Sequence, residues 1–244
     1  MADTERVEQL QGVERIAEAL RAGRPLGLVL VRDDCVDPEV DALIEQARAR
    51  GVPVRRASAS VLWRMTSTSA PTDVLALAGR DPRAGLDAVL AARGALWLLV
   101  GVAYPTNAGV AIRTAEGSGA QGIAIDADWD HAAKRAATRA SMRADWYMPV
   151  LWERADVVLE RARAAGHRLV AVENTGTLAP WQVDLTGACV FMIGGEANGI
   201  PAALMERCDA LVRVPMAGFI PSYNLQIAVG VVATERLRQE QARR

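Results

Sequence analysis

Histidine and lysine are scarce in this sequence of 244 residues. The chain has two histidines, His131 and His167, and one lysine, Lys134. So few histidines exclude most schemes in which an imidazole moves a proton. A Ser-His-Asp arrangement is disfavoured further because no G-x-S-x-G segment occurs. The sequence therefore favours chemistry that does not depend on histidine.

Cysteine and long apolar runs are also in short supply. Cys35, Cys189 and Cys208 are far apart, odd in number, and form no C-x-x-C pair or Cys/His cluster. This pattern argues against a disulfide framework and a structural zinc site, so we expect no metal. No stretch approaches the ~18–20 apolar residues of a membrane-spanning helix, and the polar N-terminus lacks the layout of a signal peptide. We therefore expect a cytoplasmic protein without a membrane partner.

The formal net charge is only −1, from 28 basic and 29 acidic residues. Such a chain cannot bind a polyanion by bulk charge, so nucleic-acid binding would need a local patch. Residues 131–144 contain no acid, and Arg135, Arg139 and Arg143 recur every four residues. On a helix this spacing places the three arginines on one face. A solvated face normally mixes charges, so we interpret a purely basic one as a surface for nucleic-acid phosphates.

The overall composition, 51% hydrophobic and 23% charged, is that of a folded globular chain. Short apolar runs such as 25–31, 95–102 and 188–195 alternate with segments of helical periodicity. This alternation predicts an α/β fold with a mainly parallel sheet covered on both faces. The predicted divisions are a small α/β domain over residues 1–80, a linker and lead-in helix over 81–94, and a main domain over 95–244.

One glycine pattern suggests a nucleotide site that its position contradicts. Gly117, Gly119 and Gly122 form G-x-G-x-x-G, but they follow a predicted helix and precede a predicted strand. A dinucleotide site needs the opposite order, with the glycines after a strand and at the start of a helix. We interpret them as a helix-ending turn; a different α/β nucleotide-binding enzyme is the alternative they would suggest.

Three segments are harder to explain as scaffold. In residues 104–120, Asn107 is predicted to cap a helix on which Arg113 has apolar neighbours and must face a cleft or a partner. In 191–201, a buried strand runs into paired glycines, where a parallel sheet binds ligands. In 214–235, Ser222 is predicted to begin a helix that is apolar all round. Burial of that helix on every side would require an oligomer interface or a place in the core.

In this order the three segments resemble the motifs of the SpoU branch of SPOUT RNA methyltransferases, over about residues 95–240. The matching residues are Asn107, Gly109 and Arg113 in the first motif, Gly194, Glu196, Gly199 and Ile200 in the second, and Pro215, Met216, Ser222 and Asn224 in the third. The first block also resembles the small RNA-binding domain that precedes the catalytic domain in many rRNA-directed members.

The resemblance implies a parallel α/β catalytic domain with a deep C-terminal trefoil knot, a homodimer, and S-adenosylmethionine bound in the knot without a metal. The reaction implied is methyl transfer to a ribose 2′-hydroxyl of structured RNA, rRNA rather than tRNA. Arg113 would contact the target phosphate and help to activate the hydroxyl. Because arginine is a poor base, positioning and charge stabilisation are its safer roles.

The resemblance also assigns the other site residues. Asn107, Glu196, Ser222 and Asn224 would hold the active-site loops and the substrate. The residues implied for the cofactor are Ile193, Gly194, Gly195, Glu196, Val214, Pro215, Met216, Asn224 and Leu225. Two positions depart from the family pattern: Tyr223 stands where leucine is usual, and Ser141-Met142-Arg143 replaces Ser-x-Gly. A non-catalytic RNA-binding or ribosome-assembly protein on the same scaffold is the rival hypothesis.

Overall fold

The computed structural model describes residues 8–66, 72–220 and 222–243, without the side chain of Arg64, and the chain divides into two compact units, Met1–Arg83 and Ala84–Arg244. The described strands of the first unit are β1 (Glu8–Gln11), β2 (Leu26–Arg32), β3 (Val54–Ala57) and β4 (Val74–Ala78), and its helices are α1 (Val13–Arg21), α2 (Pro38–Ala49) and α3 (Ala59–Met65). The sheet order is β1-β4-β2-β3, with β2 parallel to β3 and β4 antiparallel to both its neighbours.

The start of the first unit differs from a sequence prediction. Helical periodicity from Gln9 predicts a helix over 9–22, but Glu8–Gln11 is a strand paired with β4. Leu10 is buried between two glutamines, which is the alternation of an edge strand. Gly12 then takes a φ of +85° and turns the chain into α1.

The second unit is a six-stranded, fully parallel sheet in the order β10-β8-β9-β5-β6-β7, which confirms the predicted parallel α/β architecture. Its strands are β5 (Ala95–Val100), β6 (Gly122–Asp126), β7 (Val150–Leu151), β8 (Arg168–Val172), β9 (Cys189–Gly194) and β10 (Ala210–Val212). Its helices are α4 (Leu86–Ala91), α5 (Pro105–Gly117), α6 (His131–Ala140), α7 (Ala155–Ala164), α8 (Ala202–Met205) and α9 (Leu225–Ala242). Side chains of α5, α6 and α9 form the core on one face, and those of α4, α7 and α8 form it on the other.

The C-terminal helix α9 begins three residues later than predicted, and within one chain only part of its surface is buried. Leu225, Val229 and Val232 pack into the core, whereas Ile227 and Val231 are exposed in the single chain. Its last turns are held to the loop before β9. The amide of Leu185 donates to Gln239 Oε1 at 2.8 Å, that of Gly187 donates to Glu240 Oε1 at 2.9 Å, and Arg243 pairs with Asp184 at 3.0 Å.

No helix in the described part of the chain, residues 8–66, 72–220 and 222–243, has both the length and the apolar character needed to cross a bilayer.

The buried His167 predicts how stability responds to acid. Neither ring nitrogen has a hydrogen-bond partner among the described residues, and burial together with the positive charge of Arg93 lowers the pKa of His167. Below the unfolded-state pKa of about 6.5, the unfolded chain binds a proton that the folded chain does not bind. The free energy of unfolding therefore decreases as the pH is lowered. Denaturant titrations from about pH 7.5 to pH 5.5 should show this loss, and His167→Phe should reduce it. His131→Gln, at the exposed histidine, is the control; an equal loss in His167→Phe contradicts the interpretation.

Candidate active site

A cavity of about 230 Å³ opens where the parallel strands β8 and β9 end. Such strand ends are the usual ligand site of an open α/β sheet. The cavity is lined by Val172, Glu173, Asn174, Ile193, Gly194, Gly195, Glu196, Gly199, Val214, Ser222, Tyr223, Asn224, Leu225 and Ala228. The structure therefore brings together most of the predicted cofactor residues. Pro215 and Met216 follow β10 but do not line the cavity.

Two glycines let neighbouring stretches of backbone meet at this cavity. A Cβ on Gly195 would lie 2.0 Å from the carbonyl oxygen of Gly101, and one on Gly194 would lie 2.1 Å from the carbonyl carbon of Gly199. Backbone cannot yield to such overlaps. Any larger residue would push apart the loops that follow β5 and β9.

Glu196 joins the loop after β9 to the start of α5. Its Oε1 accepts from Asn107 Nδ2 at 2.5 Å, and its Oε2 accepts from the amide of Ala103 at 3.3 Å. The prediction that Asn107 caps α5 is wrong. Pro105 opens the helix after Tyr104, because proline fits a first helical position, and Asn107 lies inside the first turn. Its side chain is therefore free to donate to Glu196.

Glu173 is a second carboxylate at the cavity that the motif analysis missed. It follows β8 directly, and its Oε2 accepts from the amide of Ile200 at 3.0 Å. Its Oε1 accepts from the amide of Asn174 at 2.8 Å. Glu173 thus fixes the end of β8 to the loop that carries Glu196. An acid placed at once after a buried strand was the available signal.

Ser222 and Asn224 lie at the cavity mouth, and both are exposed. The backbone carbonyl of Asn224 accepts the first amide bonds of α9, from Ile227 and Ala228, but its side chain makes no capping bond. Both polar side chains can therefore face a ligand. Tyr223, the departure from the family pattern, lines the cavity between them and is 45% exposed.

Arg113 is exposed on α5, and among the described residues it has no hydrogen-bond or ion-pair partner. The helix beneath it is fixed by Gly109, where a Cβ would lie 2.4 Å from that of Ala140 on α6. Arg113 follows Gly109 by four residues and so lies towards α6. No described contact joins Arg113 to Glu196, so the structure sets this predicted residue on the same helix as Asn107 but apart from the carboxylate.

The basic helix face predicted from Arg135, Arg139 and Arg143 is only partly helical. Asp130 caps α6 by accepting from the amide of Ala133 at 2.8 Å, and Arg135 and Arg139 are exposed without an acidic partner among the described residues. The prediction that the helix continues through Arg143 is wrong, because α6 ends at Ala140.

Within the described residues, no group of three or more histidine, cysteine, aspartate or glutamate side chains is arranged to hold a metal ion.

Comparisons with known proteins match both units. A family model described as the SpoU rRNA Methylase family matches residues 95–234. A second, described as RNA 2′-O ribose methyltransferase substrate binding, matches residues 10–82. A 23S rRNA (guanosine-2′-O-)-methyltransferase RlmB from Xanthomonas axonopodis pv. citri is 29% identical over 223 residues, 86% of this chain and 88% of that protein. An RlmB from Pseudomonas syringae pv. tomato is 33% identical over 150 residues, 61% of this chain and 60% of that one.

Solved structures share the fold. The AdoMet-bound rRNA methyltransferase from Sinorhizobium meliloti is 26% identical with a TM-score of 0.59, covering 96% of this chain and 88% of that one. The SpoU methyltransferase AviRb from Streptomyces viridochromogenes in complex with AdoMet is 24% identical with a TM-score of 0.58, covering 97% and 91%.

The hydrogen bond between Asn107 and Glu196 predicts coupled effects on S-adenosylmethionine binding. Asn107→Ala and Glu196→Ala should each weaken binding in calorimetry, because each releases the loop that shapes the cavity. The double variant should be weakened by less than the sum, with a coupling energy of about 1 kcal/mol. Glu206→Ala, at an acid outside the cavity lining, is the control. Strictly additive effects would show that the bond does not shape the cavity.

Proposed function

Because this chain belongs to the SpoU rRNA methylase family, we propose that it transfers the methyl group of S-adenosylmethionine to a ribose 2′-hydroxyl of rRNA. The match also confirms the family predicted from the three motifs. The observation that carries the proposal is the strand-end cavity, which the Glu196–Asn107 hydrogen bond ties to the helix of Arg113. The cytoplasm stays the predicted location.

The residues that line the cavity suit the methyl donor in charge and polarity. S-adenosylmethionine supplies an activated methyl on a positively charged sulfonium. Gly194 and Gly195 let the backbone of the loops after β5 and β9 close around the cavity that they line, and the carboxylates of Glu173 and Glu196 favour a cationic ligand. Ile193 and Leu225 contribute apolar wall against which an adenine ring can lie, and Ser222 and Asn224 offer polar groups at the mouth.

Arg113 is the residue best placed to act on the RNA. A ribose 2′-hydroxyl is a poor nucleophile that must be oriented or relieved of its proton. A guanidinium stays protonated at neutral pH, so Arg113 would hold the target phosphate and stabilise negative charge as it develops on the oxygen. Its lack of an acidic partner among the described residues leaves both edges of the guanidinium for RNA.

The preference for rRNA and the role of the first unit rest on the comparisons. Residues 10–82 match a substrate-binding model of RNA 2′-O ribose methyltransferases, and the two curated relatives are named 23S rRNA methyltransferases. We assign substrate binding to the unit Met1–Arg83 and catalysis to Ala84–Arg244. Arg135 and Arg139 on α6 would add phosphate contacts beside Arg113.

A knotted C-terminus and a homodimer complete the proposal. One close crossing of the chain supports the knot: a Cβ on Gly176 would lie 2.6 Å from the carbonyl carbon of Val212, the last residue of β10. A second copy would cover the exposed apolar side of α9. A cavity of about 760 Å³ there is lined by residues that include Val110, Trp181, Ile227 and Val231.

Arg113→Ala should reduce methyl incorporation into rRNA by about 10²–10³-fold, the usual effect of removing one charge-stabilising donor. Calorimetry should show S-adenosylmethionine affinity within about twofold of wild type, because Arg113 does not line the cavity. Arg161→Ala, at an exposed arginine on α7, is the control.

Two outcomes would redirect the proposal. Full activity in Arg113→Ala removes its catalytic assignment. A wild-type protein that binds rRNA but methylates no RNA supports the non-catalytic alternative instead.

Ile227→Glu should dissociate the dimer, because the interface would bury an unpaired carboxylate. The expected loss of self-association is roughly a hundredfold or more, measured by sedimentation equilibrium. Val36→Glu, at an exposed apolar residue of the first unit, should leave the association intact. A wild-type protein that sediments as a monomer would refute the homodimer.

A further inference from the structure

A strained turn follows α6 at residues 141–146. Met142 and Arg143 have φ angles of +56° and +72°, in the left-handed region that residues with a Cβ seldom adopt. Two consecutive residues in this conformation lower the stability of the folded state unless contacts with the surrounding structure compensate for the strain. The hydroxyl of buried Ser141 donates to the carbonyl of Thr138 at 2.7 Å, and the amide of Trp146 donates to the carbonyl of Arg143 at 2.9 Å. The turn is therefore held in place by hydrogen bonds on both sides.

The turn sets the Arg143 guanidinium over an indole ring. Its Cζ lies 5.1 Å from the centroid of Trp146, within the range of a cation–π contact. Arg143 is exposed, and no described carboxylate pairs with it. The guanidinium is thus held beside the ring of Trp146 before any ligand arrives.

The turn follows α6, and α6 packs against α5, the helix that carries Arg113. The close contact between Gly109 and Ala140 fixes α6 against α5, and the turn begins at the next residue, Ser141. The exposed Arg135 and Arg139 precede it along α6. RNA held by Arg135 and Arg139 would meet the Arg143–Trp146 pair at the end of α6, where the turn packs against α5.

We propose that Arg143, supported by Trp146, is a stacking platform for the base of an unpaired nucleotide near the methylation target. This inference rests on the proposed function, that the substrate is RNA. Arginine planes and aromatic rings are the usual supports for splayed bases of single-stranded RNA, whereas a base inside a duplex has no free face. The platform selects RNA with an unpaired segment, whereas Arg135 and Arg139 contact phosphates without regard to pairing.

Full-length variants and two RNA probes test the platform. The probes are a stem-loop with an unpaired loop and a fully paired duplex with the same number of phosphates; affinities are measured by fluorescence anisotropy over a salt series. Arg143→Lys keeps the charge but removes the plane. It should weaken stem-loop binding by about fivefold to tenfold, as should Arg143→Ala. Duplex affinity and the salt slope of Arg143→Lys should match wild type.

Three further variants separate the platform from other effects. Arg161→Lys, at the exposed arginine on α7, is the matched control and should bind both probes like wild type. Trp146→Leu should reproduce the selective loss on the stem-loop. Arg143→Gly should lose stem-loop affinity while unfolding at no lower denaturant concentration than wild type, because glycine accepts the left-handed φ without strain. Selective loss in a stable protein excludes misfolding as the cause.

Other results would overturn the inference. In one such result, Arg143→Lys binds the stem-loop with wild-type affinity and Arg143→Ala loses affinity equally for both probes. Arg143 would then be a phosphate contact. Equal wild-type affinity for the two probes would also refute the platform. Methyl incorporation into rRNA is measured in parallel: if it occurs while the platform results fail, only this inference is wrong. A wild type that neither binds nor methylates RNA refutes the proposed function as well.

Discussion

The site depends on one carboxylate that spans two strand ends. Glu196 follows β9 and accepts from Asn107 and Ala103, which belong to the segment after β5. The bond requires the loops to approach closely, and glycine at position 195 permits this. Glu173 performs the same task at the end of β8 by accepting from Ile200. These two carboxylates fix the position of the cavity mouth relative to the first turn of α5.

The acidic and the basic groups of the site lie in different places and suit different ligands. The side with Glu173 and Glu196 is acidic and suits a cationic methyl donor, whereas Arg113, Arg135 and Arg139 on α5 and α6 face solvent without acidic partners among the described residues. The net charge of −1 is therefore the sum of acidic and basic groups that occupy different parts of the surface. Local sorting, rather than overall charge, is what binding a polyanion requires.

The parallel sheet and the strand-end cavity could be predicted because each rests on a local pattern. Continuous apolar runs mark buried strands, and Gly194-Gly195-Glu196 follows one of them directly. The predictions that failed missed either the residue at which a helix begins or ends, or a contact with a distant part of the chain. Asn107 looks like a helix cap, but Pro105 already begins the helix, and Glu196, 89 residues away, accepts from the Asn107 side chain.

Other differences have local or distant origins. Periodicity alone continues α6 through Arg143, but the hydrogen bonds of the 141–146 turn end it at Ala140. Pairing with β4 turns the apparent start of α1 into a strand. The exposed Ile227 and Val231 show that an apolar sequence does not say which side a neighbour covers.

The most direct test of the central claim is a map of ribose methylation across rRNA from cells that carry the gene and from cells in which it is deleted. The account predicts that a 2′-O-methyl group present in the first map is absent from the second, and that it returns with the wild-type gene. Identical maps with and without the gene would contradict it.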